Sequence, residues 1–284
     1  MIKEGIIIKC ISNLYTVKFE NKKIEVKPRG NFRNKNITPL VGDKVLIDIN
    51  KNLITEILDR KNSLIRPPLA NIDQVVVVTS VKKPDYSSIL LDKMLLVLEY
   101  NNIKPIICFT KLDLCNKNEL NEVKSIIKGY KKIGYKVITN KNIFKLKRLF
   151  KNKLTVFSGQ SGAGKSTLLN KIDKKLLLKT NEISNALNRG KHTTRHVELF
   201  EICSGLVSDT PGFSALDINN IEKDKIKDLF IDIKSYAGTC TYADCTHTKE
   251  KECNIKKLAN NGAIMKSRYE SYLCFMNDNN KKKR

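Results

Sequence analysis

A glycine-rich segment at residues 159–166 has the residue types and the spacing of a phosphate-binding loop. Its sequence, GQSGAGKS, satisfies the GxxxxGK(S/T) pattern and lies between the apolar segment LTVFS and the helix-forming segment STLLNKI, as the motif requires. Glycines let backbone N–H groups approach phosphate oxygens, and the helix N-terminus adds partial positive charge. We expect Lys165 to reach the β- and γ-phosphates of a nucleotide and the Ser166 hydroxyl to ligate Mg²⁺. The predicted phosphate-binding residues are Gly159, Gln160, Ser161, Gly162, Ala163, Gly164, Lys165, Ser166 and Thr167.

A second motif, Thr110-Lys111-Leu112-Asp113, identifies the base. It matches the (N/T)KxD element that ends a strand in GTPases. A carboxylate only accepts hydrogen bonds, and guanine presents N1–H and N2–H on one edge, whereas adenine presents an acceptor at N1. Asp113 can therefore accept from both guanine donors, and the stem of Lys111 can pack on the base. Beside a phosphate loop, the motif predicts that Thr110, Lys111 and Asp113 bind GTP.

Two further segments have the spacing of GTPase switches. Residues 209–212 (DTPG) follow the apolar segment GLVS and fit the DxxG element, in which Asp209 supports Mg²⁺ through water and the Gly212 N–H meets the γ-phosphate. Residues 190–195 (GKHTTR) fit a switch I segment, whose threonine, Thr193 or Thr194, completes the Mg²⁺ shell. Phe213 stands where many GTPases carry a glutamine that orients water, and its side chain cannot do so.

The motifs occur in an unusual order. Ordinary GTPases run from the phosphate loop through switch I and DxxG to (N/T)KxD. Here the base motif at residues 110–113 precedes the phosphate loop at residues 159–166. The same sheet can form in either order when the chain ends of the parent fold lie near one another. The sequence therefore predicts a circularly permuted GTPase domain.

Four potential metal ligands, Cys240, Cys245, His247 and Cys253, fall within fourteen residues. Three thiolates and one imidazole fill a tetrahedral Zn²⁺ shell and leave no open position. The other five cysteines are scattered through the chain, which does not indicate a disulfide framework. We expect one structural zinc ion per chain at this cluster.

The chain divides into three predicted regions. Residues 1–68 contain about five short strands separated by Asn, Gly and Pro turns, which favours a closed barrel of the OB type. Residues 69–217 alternate apolar strands with helices and predict a parallel sheet covered on both faces. Residues 218–284 combine helical segments, the Cys/His cluster and a basic tail. The predicted fold class is multi-domain: an OB-type barrel that binds RNA, an α/β P-loop GTPase domain and a helical zinc-binding module.

Charge indicates a polyanionic partner. The chain has 53 Lys and Arg against 29 Asp and Glu, a net charge of +24, which exceeds what solubility requires. A genome biased to Lys, Asn and Ile codons would also make the chain basic, so charge alone supports nucleic acid only weakly. No apolar run approaches the ~20 residues of a membrane helix, and the first residues lack the basic start of a signal peptide. We expect a cytoplasmic protein without membrane contact.

The combination of barrel, permuted GTPase and CxxxxCxH…C cluster resembles the ribosome small subunit-dependent GTPase family (RsgA/YjeQ-like) over nearly the whole chain. The segments that carry the resemblance are RGNFR, ITPLVGDKV, NSLIRPPLANIDQ, SGQSGAGKSTLLN, RGKHTTRHVEL, SDTPGF and GAIMKSRYESY. The resemblance implies hydrolysis of GTP to GDP and phosphate that the 30S subunit stimulates, contact with its 16S rRNA, and a role late in its maturation. It also implies that His192, in the switch I motif, is catalytic. We expect the chain to act as a monomer.

The sequence departs from the family pattern at two places. The Ser-Ala-like element before the phosphate loop is not recognisable, because Thr139 and Asn140 occupy its neighbourhood, so that base contact stays unassigned. The Cys/His cluster lacks the Glu-Pro-Gly lead-in to its last cysteine and has Glu250-Lys-Glu252 instead. The second departure puts the shape of the loop in doubt, but not the number of ligands.

Three alternative functions compete with this interpretation. An RNA-binding module that uses nucleotide only as a structural switch is favoured by the missing glutamine, and ribosome-stimulated phosphate release would exclude it. A P-loop ATPase or kinase is opposed by the TKLD motif. A GTPase of large-subunit assembly shares the permutation, but the barrel and the Cys/His cluster oppose it.

Overall fold

The computed structural model describes residues 1–30, 32, 37–64, 67–173, 197–209, 218 and 220–278. Its N-terminal part is a closed five-stranded barrel, as predicted. The strands are β1 (Ile2–Ile11), β2 (Leu14–Phe19), β3 (Lys22–Pro28), β4 (Lys44–Asp48) and β5 (Leu53–Ile57). They pair in the order β1-β2-β3-β5-β4, with β4 closing on β1. In β2 the side chains of Tyr15, Val17 and Phe19 point into the barrel because every second residue of a strand faces the same side.

A short hairpin and a partly buried ion pair connect the barrel to the central domain. The guanidinium of Arg60 binds the fully buried carboxylate of Asp43 with two 2.7 Å hydrogen bonds. Gly42 has φ +93°, and a Cβ there would lie 2.1 Å from Ala70 O, so only glycine fits. The loop before β4 is therefore fixed against the hairpin. The hairpin consists of β6 (Ser63–Leu64) and β7 (Leu69–Ala70).

The described part of the central domain contains the strands β8 (Gln74–Ser80), β9 (Lys104–Thr110), β10 (Lys136–Thr139), β11 (Leu154–Ser158), β12 (Phe200–Ile202) and β13 (Gly205–Asp209). They form one sheet in the order β10-β9-β8-β11-β13-β12. The strands from β10 to β13 in this order are parallel, as predicted, but the edge strand β12 is antiparallel to β13, so the sheet is mixed. The edge strand runs the other way because a tight hairpin connects it to β13, and such a turn reverses the chain.

Helices cover both faces of this sheet, as predicted. One face is covered by α1 (Ser88–Tyr100) and α2 (Lys117–Ile133), and the other by α3 (Ile143–Phe150) and α4 (Lys165–Ile172). Val75 and Val77 pack with α1 and α2, whereas Val76 and Val78 pack with α3 and α4. This alternation explains why β8 is apolar at every position rather than at every second one.

No helix among the described residues combines the length and the apolar composition needed to cross a membrane.

The C-terminal region packs on the GTPase domain and shares its core. Helix α1 is buried on nearly all sides because the sheet covers one face and C-terminal helices cover the other. At this contact Arg268, 1% exposed, lies between two carboxylates, with Nη1 2.8 Å from Asp92 Oδ1 and Nη2 2.8 Å from Asp232 Oδ1. Its guanidinium also stacks over Phe230, 4.3 Å from the ring centroid. The helices are α5 (Lys223–Leu229), α6 (Ile231–Lys234), α7 (Asn254–Asn260) and α8 (Lys266–Asp278).

The Arg268 ion pairs predict that the C-terminal helices stabilise the GTPase domain. Arg268→Met should lower the free energy of unfolding by about 3–5 kcal/mol, since it leaves the buried Asp92 carboxylate without its cation. Lys266→Met, the same substitution at an exposed position of α8, should change it by less than about 0.5 kcal/mol. Urea unfolding of both variants measures the difference, and equal stability of the two would contradict the prediction.

Candidate functional site

The phosphate loop lies where the sequence predicts it, between a buried strand and a helix. Strand β11 ends at Ser158, and α4 begins at Lys165 after Gly164, which has φ +90°. The Nζ atom of Lys165 lies 2.8 Å from Gly159 O and 2.9 Å from Gln160 O. These two carbonyls hold the ammonium group at the loop, where it can meet phosphate oxygens.

Gly159 explains why the loop needs a glycine at its first position. Its φ is +142°, and a Cβ there would lie 2.1 Å from Val78 O on the neighbouring strand. The loop turns away from the sheet at this point with its backbone against β8. Ser166 and Thr167, at the start of α4, are exposed and accessible to a ligand.

The base motif lies beside the phosphate loop although the two are 53 residues apart in sequence. Thr110, the last residue of β9, donates from Oγ1 to Ala163 O at 2.6 Å, and both residues are buried. The chain then turns at Lys111, with φ +60°, into a short 3-10 helix that carries Asp113 at the surface. A buried hydrogen bond thus fixes the distance between the loop that would bind phosphate and the loop that would bind the base.

Asp209 ends strand β13, next to the phosphate loop. Its backbone pairs with Phe157 of β11 in parallel register, so both chains leave the sheet at the same edge. The remaining predicted switch residues, His192, Thr193, Thr194 and Gly212, lie outside the described residues.

The structure places Thr139 and Asn140 at the same edge of the sheet, beside the base motif. The Asn140 N–H donates to Phe109 O at 3.0 Å, one residue before Thr110. Among the described residues, the buried Asn140 Oδ1 atom has no hydrogen-bond partner. The segment that the sequence left unassigned is therefore a neighbour of Thr110 and Lys111.

Sequence reasoning missed a third loop at this edge, between β8 and α1. Lys111 Nζ donates to Lys83 O, and Pro84 lies beside Gly162 of the phosphate loop, 3.6 Å from where its Cβ would be. The segment KKPDYSS carries no nucleotide motif, and its only signal is its position after a buried strand. The loop bridges the base motif and the phosphate loop.

The four Cys/His ligands converge, as predicted. Their potential ligand atoms all lie within 4.8 Å of one another. His247 Nδ1 is 3.5 Å from both Cys240 Sγ and Cys253 Sγ, which are 3.9 Å apart. A tetrahedral ion with metal–sulfur bonds of about 2.3 Å separates two thiolates by about 3.8 Å. The cluster can therefore hold a metal ion, and burial with nearby Lys227 lowers the pKa of His247, which favours the neutral ligating imidazole.

Helix α8 and Glu250 hold the backbone of this loop. Tyr269 OH donates to His247 O at 2.7 Å, and Tyr272 OH donates to Thr246 O at 2.6 Å. The Glu250 carboxylate accepts from the N–H groups of Thr246 and Thr248, both at 2.8 Å. Partial burial raises the pKa of Glu250, but these hydrogen bonds prevail and lower it to about 2. Glu250 thus shapes the loop that lacks the Glu-Pro-Gly sequence.

Two models of known protein families match this chain. The model of the RsgA GTPase family matches residues 57–219, and that of the RsgA N-terminal domain matches residues 4–54. This chain belongs to the RsgA GTPase family. As a member of that family, it is a GTP-hydrolysing enzyme with circularly permuted motifs.

Relatives and solved structures agree with the RsgA assignment over the whole chain. The small ribosomal subunit biogenesis GTPase RsgA 2 of Oceanobacillus iheyensis is 46% identical over 283 residues, 97% of each chain. The small ribosomal subunit biogenesis GTPase RsgA of Enterococcus faecalis is 46% identical over 279 residues, 96% of this chain and 94% of its own. The crystal structure of YloQ, a circularly permuted GTPase, matches with TM-score 0.83 at 37% identity and covers 100% of this chain and 97% of its own. The crystal structure of YjeQ from Thermotoga maritima matches with TM-score 0.82 at 34% identity, and the match covers 98% of this chain and 99% of its own.

The Thr110–Ala163 hydrogen bond gives a test of the site geometry. Thr110→Val keeps the shape of the side chain but removes the bond that holds the base motif and the phosphate loop at a fixed separation. Binding GTP must then also order the two loops, so the affinity for GTP should fall by about tenfold, or about 1.4 kcal/mol. Thr155→Val removes a comparable buried hydroxyl that accepts from Gln74 Nε2 at 2.9 Å, in the same sheet. We expect that control to lower stability without lowering affinity. Equal GTP affinity in the Thr110 variant and the unmodified protein, by isothermal titration, would contradict the assignment.

Proposed function

We propose that this protein hydrolyses GTP in a cycle coupled to its binding of the small (30S) ribosomal subunit, and that it assists late maturation of that subunit. The observation that carries the proposal is the contact between the base motif and the phosphate loop, through Thr110 and Ala163. The relatives named small ribosomal subunit biogenesis GTPases support the choice of partner.

In this proposal each loop at the edge of the sheet has one task. Asp113 accepts from the guanine N1–H and N2–H, while Lys165 and the loop amides bind the phosphates. Thr139 and Asn140, because they adjoin the base motif, supply the remaining contact to the guanine edge. Mg²⁺, when bound with GTP, neutralises phosphate charge, and Ser166, Asp209 and a switch I threonine, Thr193 or Thr194, would hold it.

We assign catalysis to His192. A side chain that orients the attacking water must lie near the γ-phosphate, and Phe213, after the DxxG element, offers no polar group. His192 belongs to the predicted switch I segment, which we expect to close over the γ-phosphate. The Gly212 N–H of the DxxG element is expected to contact the same phosphate. The imidazole would accept a hydrogen bond from the water and orient it toward phosphorus.

The two flanking regions would bind RNA. We divide the chain into an RNA-binding barrel (residues 1–68), the GTPase domain (69–217) and a zinc-binding domain (218–284). The barrel has a cleft of about 670 Å³ lined by Lys27, Arg29 and Phe32, a combination of cations and an aromatic ring that suits RNA.

We further propose that the protein works as a monomer in the cytoplasm.

The barrel is hydrogen-bonded to the segment that follows switch I, which offers a route for coupling. Leu199 N donates to Ile8 O of β1 at 2.8 Å. Two ion pairs reinforce the contact, with Lys9 Nζ 3.2 Å from Glu198 Oε2 and Lys18 Nζ 2.5 Å from Glu201 Oε2. This segment continues through β12 and β13 to Asp209. A change in either switch on loss of the γ-phosphate would therefore reach the barrel directly.

We assign the metal of the Cys/His cluster as zinc, because three thiolates and one imidazole suit Zn²⁺ in a closed tetrahedral site. Elemental analysis of the purified protein should find one Zn²⁺ per chain. Cys253→Ser should lower the zinc content and destabilise α8, whose tyrosines bind the loop. Cys203→Ser, at an exposed cysteine outside the cluster, should retain full zinc content. Much less than one zinc per unmodified chain would contradict this assignment.

GTP turnover with and without 30S particles tests the function. We expect slow hydrolysis alone, faster hydrolysis with 30S particles and none of ATP in either case. His192→Ala should keep GTP affinity and lose most turnover, because it acts on the water and not on the bound ground state. A rate that 30S particles leave unchanged would favour the alternative in which nucleotide is only a structural switch.

A further inference from the structure

Helix α3 carries an exposed aromatic ring within a strongly basic segment. Phe144 is 85% exposed, the most exposed of the large apolar side chains on the described surface. From Lys136 to Lys153 the chain has seven basic residues and no aspartate or glutamate. Neither the nucleotide site nor the two flanking regions gives a role to Phe144 or to these basic side chains.

The helix itself explains which side chains face solvent. Leu146 and Phe150 are buried against the sheet, and the exposed residues fall on the opposite side. Residues four apart share a helix face, so Phe144 and Arg148 lie on one side of α3, with Lys145 beside them. Lys151, also exposed, follows directly after the last residue of the helix. We name these four residues the α3 face.

The charge of the α3 face is uncompensated. No ion pair within the described parts of the chain involves Lys145, Arg148 or Lys151. The helix runs back from the nucleotide edge of the sheet to the opposite edge, where more lysines begin the strands. At that edge, outside the α3 face, burial and then the neighbouring Lys104 and Lys153 lower the pKa of Lys136. An anionic partner that extends from the α3 face to this edge would reduce the repulsion among these lysines.

We propose that the α3 face binds single-stranded or looped RNA, with its three basic side chains on phosphates and Phe144 stacked on an unpaired base. The choice of RNA among polyanions rests on the proposed function. Cations flanking one projecting ring match a strand that alternates phosphates with bases. Protein–protein interfaces, by contrast, are depleted in lysine at their centres, and duplex RNA hides the faces of its bases.

Binding of a labelled single-stranded RNA of about 12 nucleotides to the full chain tests this surface. By fluorescence anisotropy, Phe144→Ala should weaken binding about tenfold through the lost stacking. Arg148→Ala should also weaken it and reduce the slope of log affinity against log salt by about 0.7, the value for one phosphate contact.

Two control variants remove an apolar and a basic side chain from exposed positions elsewhere on the GTPase domain. Ile89→Ala removes an exposed apolar side chain from α1, and Lys124→Ala removes an exposed cation from α2. Both should bind the RNA within about twofold of the unmodified protein, since neither lies on the α3 face. All four variants should bind a GTP analogue normally, which confirms that they are folded.

Binding to 30S particles separates this proposal from the proposed function. If Phe144→Ala and Arg148→Ala bind the RNA normally while the unmodified protein binds 30S particles, the α3 face is not an RNA contact and the proposed function stands. If the two variants lose 30S binding but not RNA binding, the face contacts protein, and the proposal is also wrong. If the two variants bind the RNA more weakly but the unmodified protein does not bind 30S particles, the α3 face is an RNA contact and the proposed partner is wrong.

Discussion

The hydrogen bond from Thr110 to Ala163 is the contact on which the proposed nucleotide site depends. It joins the last residue of β9 to the loop that follows β11, 53 residues further along the chain. A hydroxyl and a carbonyl buried together must pair, because either one alone would cost more than the bond contributes. The chain can therefore pass through the strands in permuted order, and the base motif and the phosphate loop still lie at a fixed separation.

The flanking regions reach this edge of the sheet by different physical routes. The barrel contacts the segment after switch I through the backbone of Ile8 and Leu199. The C-terminal region contacts α1 through Arg268 and Asp92, and Asp92 accepts from Tyr130 OH at 2.7 Å. From Tyr130 the contacts continue through Tyr86 to Phe109, the residue before Thr110. Both routes consist of hydrogen bonds and packed side chains, the kind of network that carries energetic coupling between separate sites.

Local patterns made much of this predictable. The phosphate loop, the base motif and the Cys/His cluster each lie in a short segment. Short strands between turn residues indicated the barrel, and continuous apolar segments indicated the strands of the central sheet. Contacts between distant segments were not predictable in this way. Arg268 and Asp92 are 176 residues apart, and an arginine in an otherwise mixed helix gives no sign that it will be buried. The pairing of Leu199 with Ile8 likewise depends on how two domains pack, which no local periodicity encodes.

In the proposed cycle, one nucleotide switch is coupled to ribosome binding, and equilibrium linkage measures the strength of that coupling. The affinity of the protein for 30S particles is determined with a non-hydrolysable GTP analogue and with GDP, and the affinities for both nucleotides are determined with and without 30S particles. We expect the 30S affinity to be about fivefold or more higher with the analogue than with GDP, and 30S particles to raise the affinity for the analogue over that for GDP by the same factor. Replacing Glu198 and Glu201 by alanine should reduce that factor, whereas Glu25→Ala, at an exposed barrel position, should not. Equal 30S affinity in the two nucleotide states would show that the nucleotide switch and ribosome binding are not coupled.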